Sequence, residues 1–337
     1  MTPSPSAPQQ LSPKHHIRAT DSALARLQRA LMAGAMIGSI AWLIFMWPRS
    51  PGWAVAGVML GAWSHALVLA VEFALAAWVN RGDSVHPPSL TGRLRAWWHE
   101  ASLTPTIFLW RQPFRWRDLP DSAANDGPVS PGPAVVLIHG FVCNRGFWAP
   151  WMQVLRNAAV PYTSVNLEPV FGSINDGVAA VEDAVVRAEA LGAKPPVLVC
   201  HSMGGLAARA WLASATGNIE RVSQVITIGS PHHGTWLARW SRVTNGRQMR
   251  QRSVWLQTLS AQEASMRGDG AYRKFTCFYS NADHIVFPVS TALLPGADTR
   301  HVPGVPHVAL AFHPTVMRES LAMVSPAAIS SEALTAA

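Results

Sequence analysis

The sequence predicts an α/β protein: a mostly parallel sheet with helices on both faces, preceded by a transmembrane helical hairpin. Three observations carry that expectation. From Ala134 onward, short apolar strand signals alternate with helix signals, the pattern of a parallel sheet wrapped by helices. Within Pro196–Arg209 an apolar strand meets a helix across one abrupt turn. Ahead of position 80 lie two long apolar runs: Ala30–Trp47 has no charged residue, and Trp53–Val79 is interrupted only by His65 and Glu72.

The totals agree. A chain of 337 residues can hold one large domain and an appendage. Hydrophobic residues make up 49% and charged residues 14%, which is apolar for an enzyme wholly in water. Lys and Arg outnumber Asp and Glu by 27 to 19, for a net charge of +8. The basic residues flank the apolar runs and no nucleic-acid motif occurs, so the charge points to a membrane surface and not to nucleic acid. The three cysteines, Cys143, Cys200 and Cys277, are scattered. They suggest neither a disulfide framework nor a metal cluster, and they suit a reducing compartment.

The chain divides accordingly. Residues 1–28 read as a disordered basic tail, 29–80 as the transmembrane hairpin, and 81–132 as a juxtamembrane linker with the first strands. Residues 133–325 read as the α/β domain, with a small cap at 234–273, and 326–337 as a second disordered tail. Eighteen helical residues, Ala30–Trp47, rise about 27 Å, close to the thickness of a bilayer core. Pro48–Gly52 is the turn between the runs. A cleaved signal peptide and a pair of buried globular helices are the rival readings. A long basic leader, an overlong apolar core and the second run directly behind it favour the hairpin.

Lys14, Arg18, Arg26 and Arg29 precede the first run, and Arg81, Arg93 and Arg95 follow the second. The turn holds only Arg49. The positive-inside rule then puts both ends, and the α/β domain, on the cytoplasmic side of the inner membrane. Gly34/Gly38 and Gly57/Gly61 have G-x-x-x-G spacing, which suits close helix approach and a homo-oligomer. Glu72 is costly at membrane depth unless paired, and His65 is a candidate partner. Between Arg93 and Arg117, arginines interleave with Trp97, Trp98, Trp110, Phe114 and Trp116. That stretch either lies along the headgroup layer or supplies the first strands and a packing helix.

Asp118–Pro133 is a loop rich in Pro, Gly, Asp and Ser. The sheet proper starts at Ala134–Ile138, fully apolar like a buried parallel strand. A helix over Phe147–Ala158, a strand near Tyr162–Asn166 and a helix over Gly177–Leu191 follow. Further strands are expected at Val197–Cys200, Arg221–Ile228, Lys274–Tyr279 and Thr299–Val302. Trp236–Arg273 departs from the alternation, mixing basic and apolar residues, and reads as an amphipathic cap over a cleft.

Ser202 falls at the tip of the turn between strand and helix, the geometry of a nucleophile elbow. The helix behind it offers backbone N–H groups and its positive dipole end.

Cys200-His201-Ser202-Met203-Gly204-Gly205 resembles the GHSMGG elbow of α/β-hydrolase lipases and esterases, with Cys200 where that family has its first glycine. His139-Gly140-Phe141 and Ser230-Pro231-His232-His233-Gly234 resemble two further loops of the family. The resemblance covers about 133–314 and implies the α/β-hydrolase fold and a Ser–Asp–His triad in that chain order. It implies Ser202 as nucleophile, Asp283 as the acid, with Asp298 the runner-up, and His307 as the base, with His301 and His313 as alternatives. Asp176 and Asp183 read as cap and surface residues, and His232 and His233 as loop-ordering residues. The oxyanion donors implied are the backbone N–H groups of Met203 and Phe141. No cofactor and no metal are expected.

The function expected from this set is a membrane-anchored serine hydrolase cleaving carboxylic esters, acting on lipid or acyl substrates. A thioesterase or acyltransferase with the same triad, or a catalytically inactive membrane interaction module, are the alternatives.

Overall fold

The computed structural model describes residues 22–124 and 129–325. Residues 1–21 and 326–337, assigned to the tails, lie outside the described residues, and so do Lys14 and Arg18. The first helix, α1 (Ala23–Met46), begins inside the stretch assigned to the first tail. Ser22 caps it by accepting from the Ala25 N–H, and the Ala23 N–H donates to Glu168 in the catalytic region at 2.7 Å. That long-range anchor, invisible to local pattern, sets the earlier start. Helix α2 (Pro51–Val79) follows, capped by Ser50 with Pro51 in its first turn.

Both helices are long and apolar enough to cross a membrane. Leu31, Ile37, Ile44, Trp53, Leu60 and Val71 on them are exposed. The G-x-x-x-G positions have unequal roles. A Cβ on Gly57 would collide with the Trp42 indole, whose Nε1 donates to the Trp53 carbonyl at 3.2 Å. A Cβ on Gly34, Gly38 or Gly61 would meet nothing within 4 Å.

Among the described residues of 81–129 there is no strand, against the expectation of first strands there. Helix α3 (Leu90–Pro105) passes into a π-helical segment, Thr106–Arg111, and then the short α4 (Gln112–Phe114). Pro105 has no N–H to donate, and the helix widens just after it. Trp97 and Trp116 turn inward, the Trp97 Nε1 donating to the Ala66 carbonyl on α2 at 2.8 Å, while Trp98, Trp110 and Phe114 stay exposed.

The sheet has six described strands. They are β1 (Ser130–Ile138), β2 (Tyr162–Ser164), β3 (Gly192–His201), β4 (Gln224–Ile228), β5 (Phe275–Tyr279) and β6 (Asp298–His301). Their order is β2-β1-β3-β4-β5-β6, and every adjacent pair is parallel. Helices α5 (Ala149–Asn157), α6 (Val178–Glu189), α7 (Met203–Leu212) and α11 (Pro314–Val324) cover it.

Alternation within the strands fixes the two faces. Val136, Ile138, Leu198 and Cys200 pack on one side with α6 and α7. Val135, Leu137, Val197 and Val199 pack on the other with α5 and α11. Ala134–Ile138 are all fully buried, as strands covered on both faces must be. Strand order reverses between β1 and β3, and the carboxyl ends of the strands at such a switch point are where α/β sheets bind ligands.

The segment expected as a cap holds a short helical turn at Trp236–Trp240, α8 (Thr244–Gln248) and α9 (Val254–Arg267). It is pinned to α7. Arg209 and Glu263, both fully buried, pair through two contacts of 2.6 and 3.0 Å, and the Tyr272 hydroxyl donates to the same carboxylate at 2.7 Å. A buried charge pair is tolerated only when its remaining polar atoms are also satisfied.

Candidate active site

Ser202 sits where β3 ends and α7 begins, at the switch point. Its backbone has φ 53° and ψ −126°, a region L residues avoid at a cost of about 1–3 kcal/mol. Neighbours hold it there. The Ser202 N–H donates to the Ile228 carbonyl on β4 at 2.9 Å, and its carbonyl accepts from the Gly205 N–H at 3.1 Å.

The glycines around it are steric requirements. A Cβ on Gly204 would lie 2.3 Å from the Ile138 carbonyl oxygen and 2.8 Å from that of His139. Both are backbone atoms of β1 and its continuation, so α7 itself would have to shift. Gly204→Ala is expected to cost about 3 kcal/mol, read as a lowered midpoint in thermal unfolding. An unchanged midpoint would show that the elbow tolerates a side chain there.

Cys200 is fully buried, paired in register with Ile138 and Thr227. Burial pushes its thiol pKa far up. It therefore packs as a small neutral group where the resembling family has glycine.

Asp283 and His307 come together at the same end of the sheet. The His307 Nδ1 donates to Asp283 Oδ2 at 2.8 Å. The other carboxylate oxygen accepts from the Ile285 and Val286 N–H groups at 2.9 and 2.8 Å. Both side chains are buried. Burial alone would raise the Asp283 pKa, but the adjacent imidazole and the N–H donors outweigh it and hold the carboxyl below its ordinary value. Burial alone would lower the His307 pKa, but the Asp283 carboxylate outweighs it and raises the value.

Gly229 makes room for the pair. It follows β4 with φ 56°, and a Cβ there would stand 3.1 Å from Asp283 Oδ2 and 3.2 Å from His307 Nδ1. Because Gly229 directly follows Ile228, the residue that holds the Ser202 N–H, the end of β4 links the elbow to the acid–imidazole pair. His201, next to Ser202, donates from Nε2 to the His307 carbonyl at 3.2 Å, their rings 4.7 Å apart. Burial drives the His201 pKa far down, so its ring is neutral.

The loop after β1 passes against the nucleophile: a Cβ on Gly140 would be 2.8 Å from the Ser202 Cβ. His139 orders that loop, its Nε2 accepting from the Leu167 N–H at 3.0 Å while Nδ1 donates to the Gly140 carbonyl at 2.9 Å. Burial lowers its pKa to about 4, which keeps the ring neutral and able to do both. The N–H groups of Phe141 and Met203 donate to no other described residue, and the Met203 N–H lies in the first turn of α7.

The remaining candidates stand elsewhere. Asp298 is exposed and pairs with Arg300 at 2.8 Å. His301 stacks on Tyr279, and His313 caps α11 by accepting from the Thr315 N–H. Asp176 completes a capping box with Ser173, and Asp183 pairs with Arg187 at 3.0 Å. His232 is buried, with Nε2 3.0 Å from the Thr227 hydroxyl and its carbonyl accepting from Arg209 at 2.8 Å. The His233 N–H donates to the Thr291 carbonyl at 2.9 Å.

One expectation needs correction. Glu72 does not face His65. Its Oε2 lies 3.6 Å from Nε2 of His284, the residue beside Asp283, while the His65 Nε2 lies 3.1 Å from the Ala101 carbonyl on α3. Sequence reasoning also missed His201, His284 and Glu100, all buried and all around His307. A charged residue at apolar depth, Glu72, was the one available signal, and it pointed at the wrong partner.

The model of the alpha/beta hydrolase family matches residues 135–327. Among solved structures, Bacillus licheniformis lipase BlEst2 in mature form matches with 17% identity and a TM-score of 0.51, covering 61% of this chain and 96% of that one. Aspergillus fumigatus lipase B matches with 19% identity and a TM-score of 0.48 over 56% of this chain. The match spans 52%, about half, of the Aspergillus chain. The Bacillus subtilis carboxylesterase CesB matches with 16% identity and a TM-score of 0.35, covering 58% of this chain and 85% of that one. At these identities the likeness concerns the fold. No curated protein matches the chain.

Proposed function

The chain belongs to the alpha/beta hydrolase family, and from that premise we propose that it is a membrane-anchored serine hydrolase cleaving carboxylic esters of lipid or acyl substrates. The single observation that supports this best is the buried Asp283–His307 hydrogen bond of 2.8 Å, at the same end of the sheet as a serine held in an elbow.

In this reading His307 Nε2 takes the Ser202 proton as Oγ attacks the ester carbonyl. Asp283 keeps the imidazole in the tautomer with its proton on Nδ1 and stabilises it once charged. The Met203 and Phe141 N–H groups receive the oxyanion, each worth about 3–4 kcal/mol of transition-state stabilisation. His307 returns its proton to the leaving alkoxide. Water, deprotonated by the same imidazole, then releases the acid and restores Ser202.

The anchor is read from α1 and α2, with the basic residues Arg26, Arg29, Arg81, Arg93 and Arg95 on the side of the catalytic domain. Exposed Trp98, Trp110 and Phe114 fit a headgroup layer next to it. A hydrolysis profile over short and long p-nitrophenyl esters, with Ser202→Ala as control, tests the proposal. Activity confined to short soluble esters would remove the lipid substrate, and equal activity of the control would remove the mechanism.

The pH dependence follows from the raised His307 pKa. The base works only when neutral, so kcat/KM should rise with pH and level off above the ordinary histidine value of 6.5. A pH–rate profile with an acid limb centred below that value would contradict the assignment.

A further inference from the structure

His307 and Asp283 lie within the family-matched residues. The helices before β1 do not, yet they reach the same pair. We infer that Glu100, on α3, is a positioning residue for His307, its buried carboxylate gripping the backbone of the short helix that His307 begins.

That helix is α10 (His307–Leu310). Glu100 Oε1 accepts from the Val308 N–H at 2.7 Å and Oε2 from the Ala309 N–H at 3.1 Å. First-turn N–H groups have no partner inside a helix, so these two would otherwise be buried and unpaired. Three residues, through four hydrogen bonds, then hold His307 and the backbone around it. Asp283 holds its ring, His201 its carbonyl, and Glu100 the two amides that follow.

Glu100 is fully buried. Burying a carboxylate costs several kcal/mol unless strong hydrogen bonds offset it. A residue serving only to fill space on α3 would be apolar at lower cost. Burial raises its pKa to about 7, against the opposing pull of the two amides and of His307.

The grip is tied to the hairpin. The residue after Glu100, Ala101, has its carbonyl 3.1 Å from the His65 Nε2 of α2, and Trp97 of α3 donates to the Ala66 carbonyl. His284 fills the space between: its Nε2 is 3.7 Å from Glu100 Oε1 and its ring is stacked 4.5 Å from Phe73 of α2. Burial lowers the His284 pKa to about 3, so it packs as a neutral ring and forms no ion pair. The titratable groups that bear on His307 are therefore Asp283 and His284 from the loop after β5, His201 from β3, Glu100 from α3 and, behind His284, Glu72 from α2.

The inference rests on His307 being the base, and the test keeps the two apart. The full chain in detergent is titrated with a fluorophosphonate probe, so that kcat is expressed per reactive Ser202. Glu100→Ala is expected to lower kcat per site about 10²-fold, the scale of a misplacement near 1 Å, with KM little changed. Glu100→Gln keeps the volume and one acceptor, and should lose less. In both, the acid limb of kcat/KM should move to lower pH, because a negative charge that raises the His307 pKa is gone.

A purely structural role would reduce the titratable fraction and the unfolding midpoint, and nothing else. If the alanine variant does not fold, the glutamine variant decides. Wild-type kcat per site in Glu100→Gln, or a loss of kcat with the acid limb unmoved, overturns the inference while Ser202→Ala stays inactive. An active Ser202→Ala instead overturns the proposed mechanism.

Discussion

Replacing Ser202 with alanine lowers kcat by about 10⁶-fold, if the serine–imidazole unit works as such units do elsewhere. That is about 8 kcal/mol of transition-state stabilisation. The fold should not suffer. The substitution removes one oxygen from a residue that accepts no cap bond through its side chain. Alanine keeps the Cβ and so the positive φ strain, whereas glycine would relieve it. Ser202→Gly should therefore be as inactive as Ser202→Ala but unfold at a higher temperature. The check is a pair of measurements on each variant: ester turnover and a thermal melt. Neither should take up a fluorophosphonate, by intact mass. Cys200 is no substitute nucleophile, being fully buried with its thiol pKa far up. An alanine variant keeping more than about a hundredth of the rate would place the nucleophile at another residue.

The parts of this site that could be read from the sequence are those governed by local rules. Ala134–Ile138 is apolar at every position, and the structure buries each residue completely. The bend at Ser202 was legible because a strand and a helix with two glycines in its first turn meet there. Asp283 and Asp298 differ in sequence only by lying after or before a strand, yet one is buried against His307 and the other is exposed on Arg300.

What escaped depends on contacts between distant segments. Glu100 bonds an amide 208 positions away. Arg93–Arg117 carried no clean period, since aromatic and basic residues alternate without a stable face, and strands were expected where α3, the π segment and α4 lie. Glu72 was recognisable as misplaced in an apolar helix. Its neighbour could come only from how α2 docks on the acid loop, through the Asn80 side chain on the Val289 N–H at 3.1 Å and Asp83 on the Ser290 N–H at 2.8 Å.

Asp283→Asn separates charge from shape at the other end of the proposed proton path. The amide has the volume of the carboxylate, and its oxygen can still accept from the Ile285 and Val286 N–H groups. Its NH₂ then faces His307 Nδ1, which must become an acceptor. The imidazole proton moves to Nε2, the atom that should receive the Ser202 proton, and kcat falls about 10⁴-fold with KM nearly unchanged. Loss of the carboxylate also leaves burial as the dominant influence on His307, so the residual activity should show its acid limb at lower pH. Stability has its own sign. The folded-state pKa of Asp283 is depressed, so its contribution is present above the ordinary carboxyl value of 3.8 and lost as pH falls through the lower folded value. The variant lacks that contribution and should unfold at a lower temperature at neutral pH, with the gap closing on strong acidification. A pH series of melts and a rate profile on one preparation test both halves. If Asp283→Asn turned over within about tenfold of wild type, a carboxylate on Nδ1 would not be needed, and the acid–imidazole pair at the end of β4 would hold the fold together instead of running the reaction.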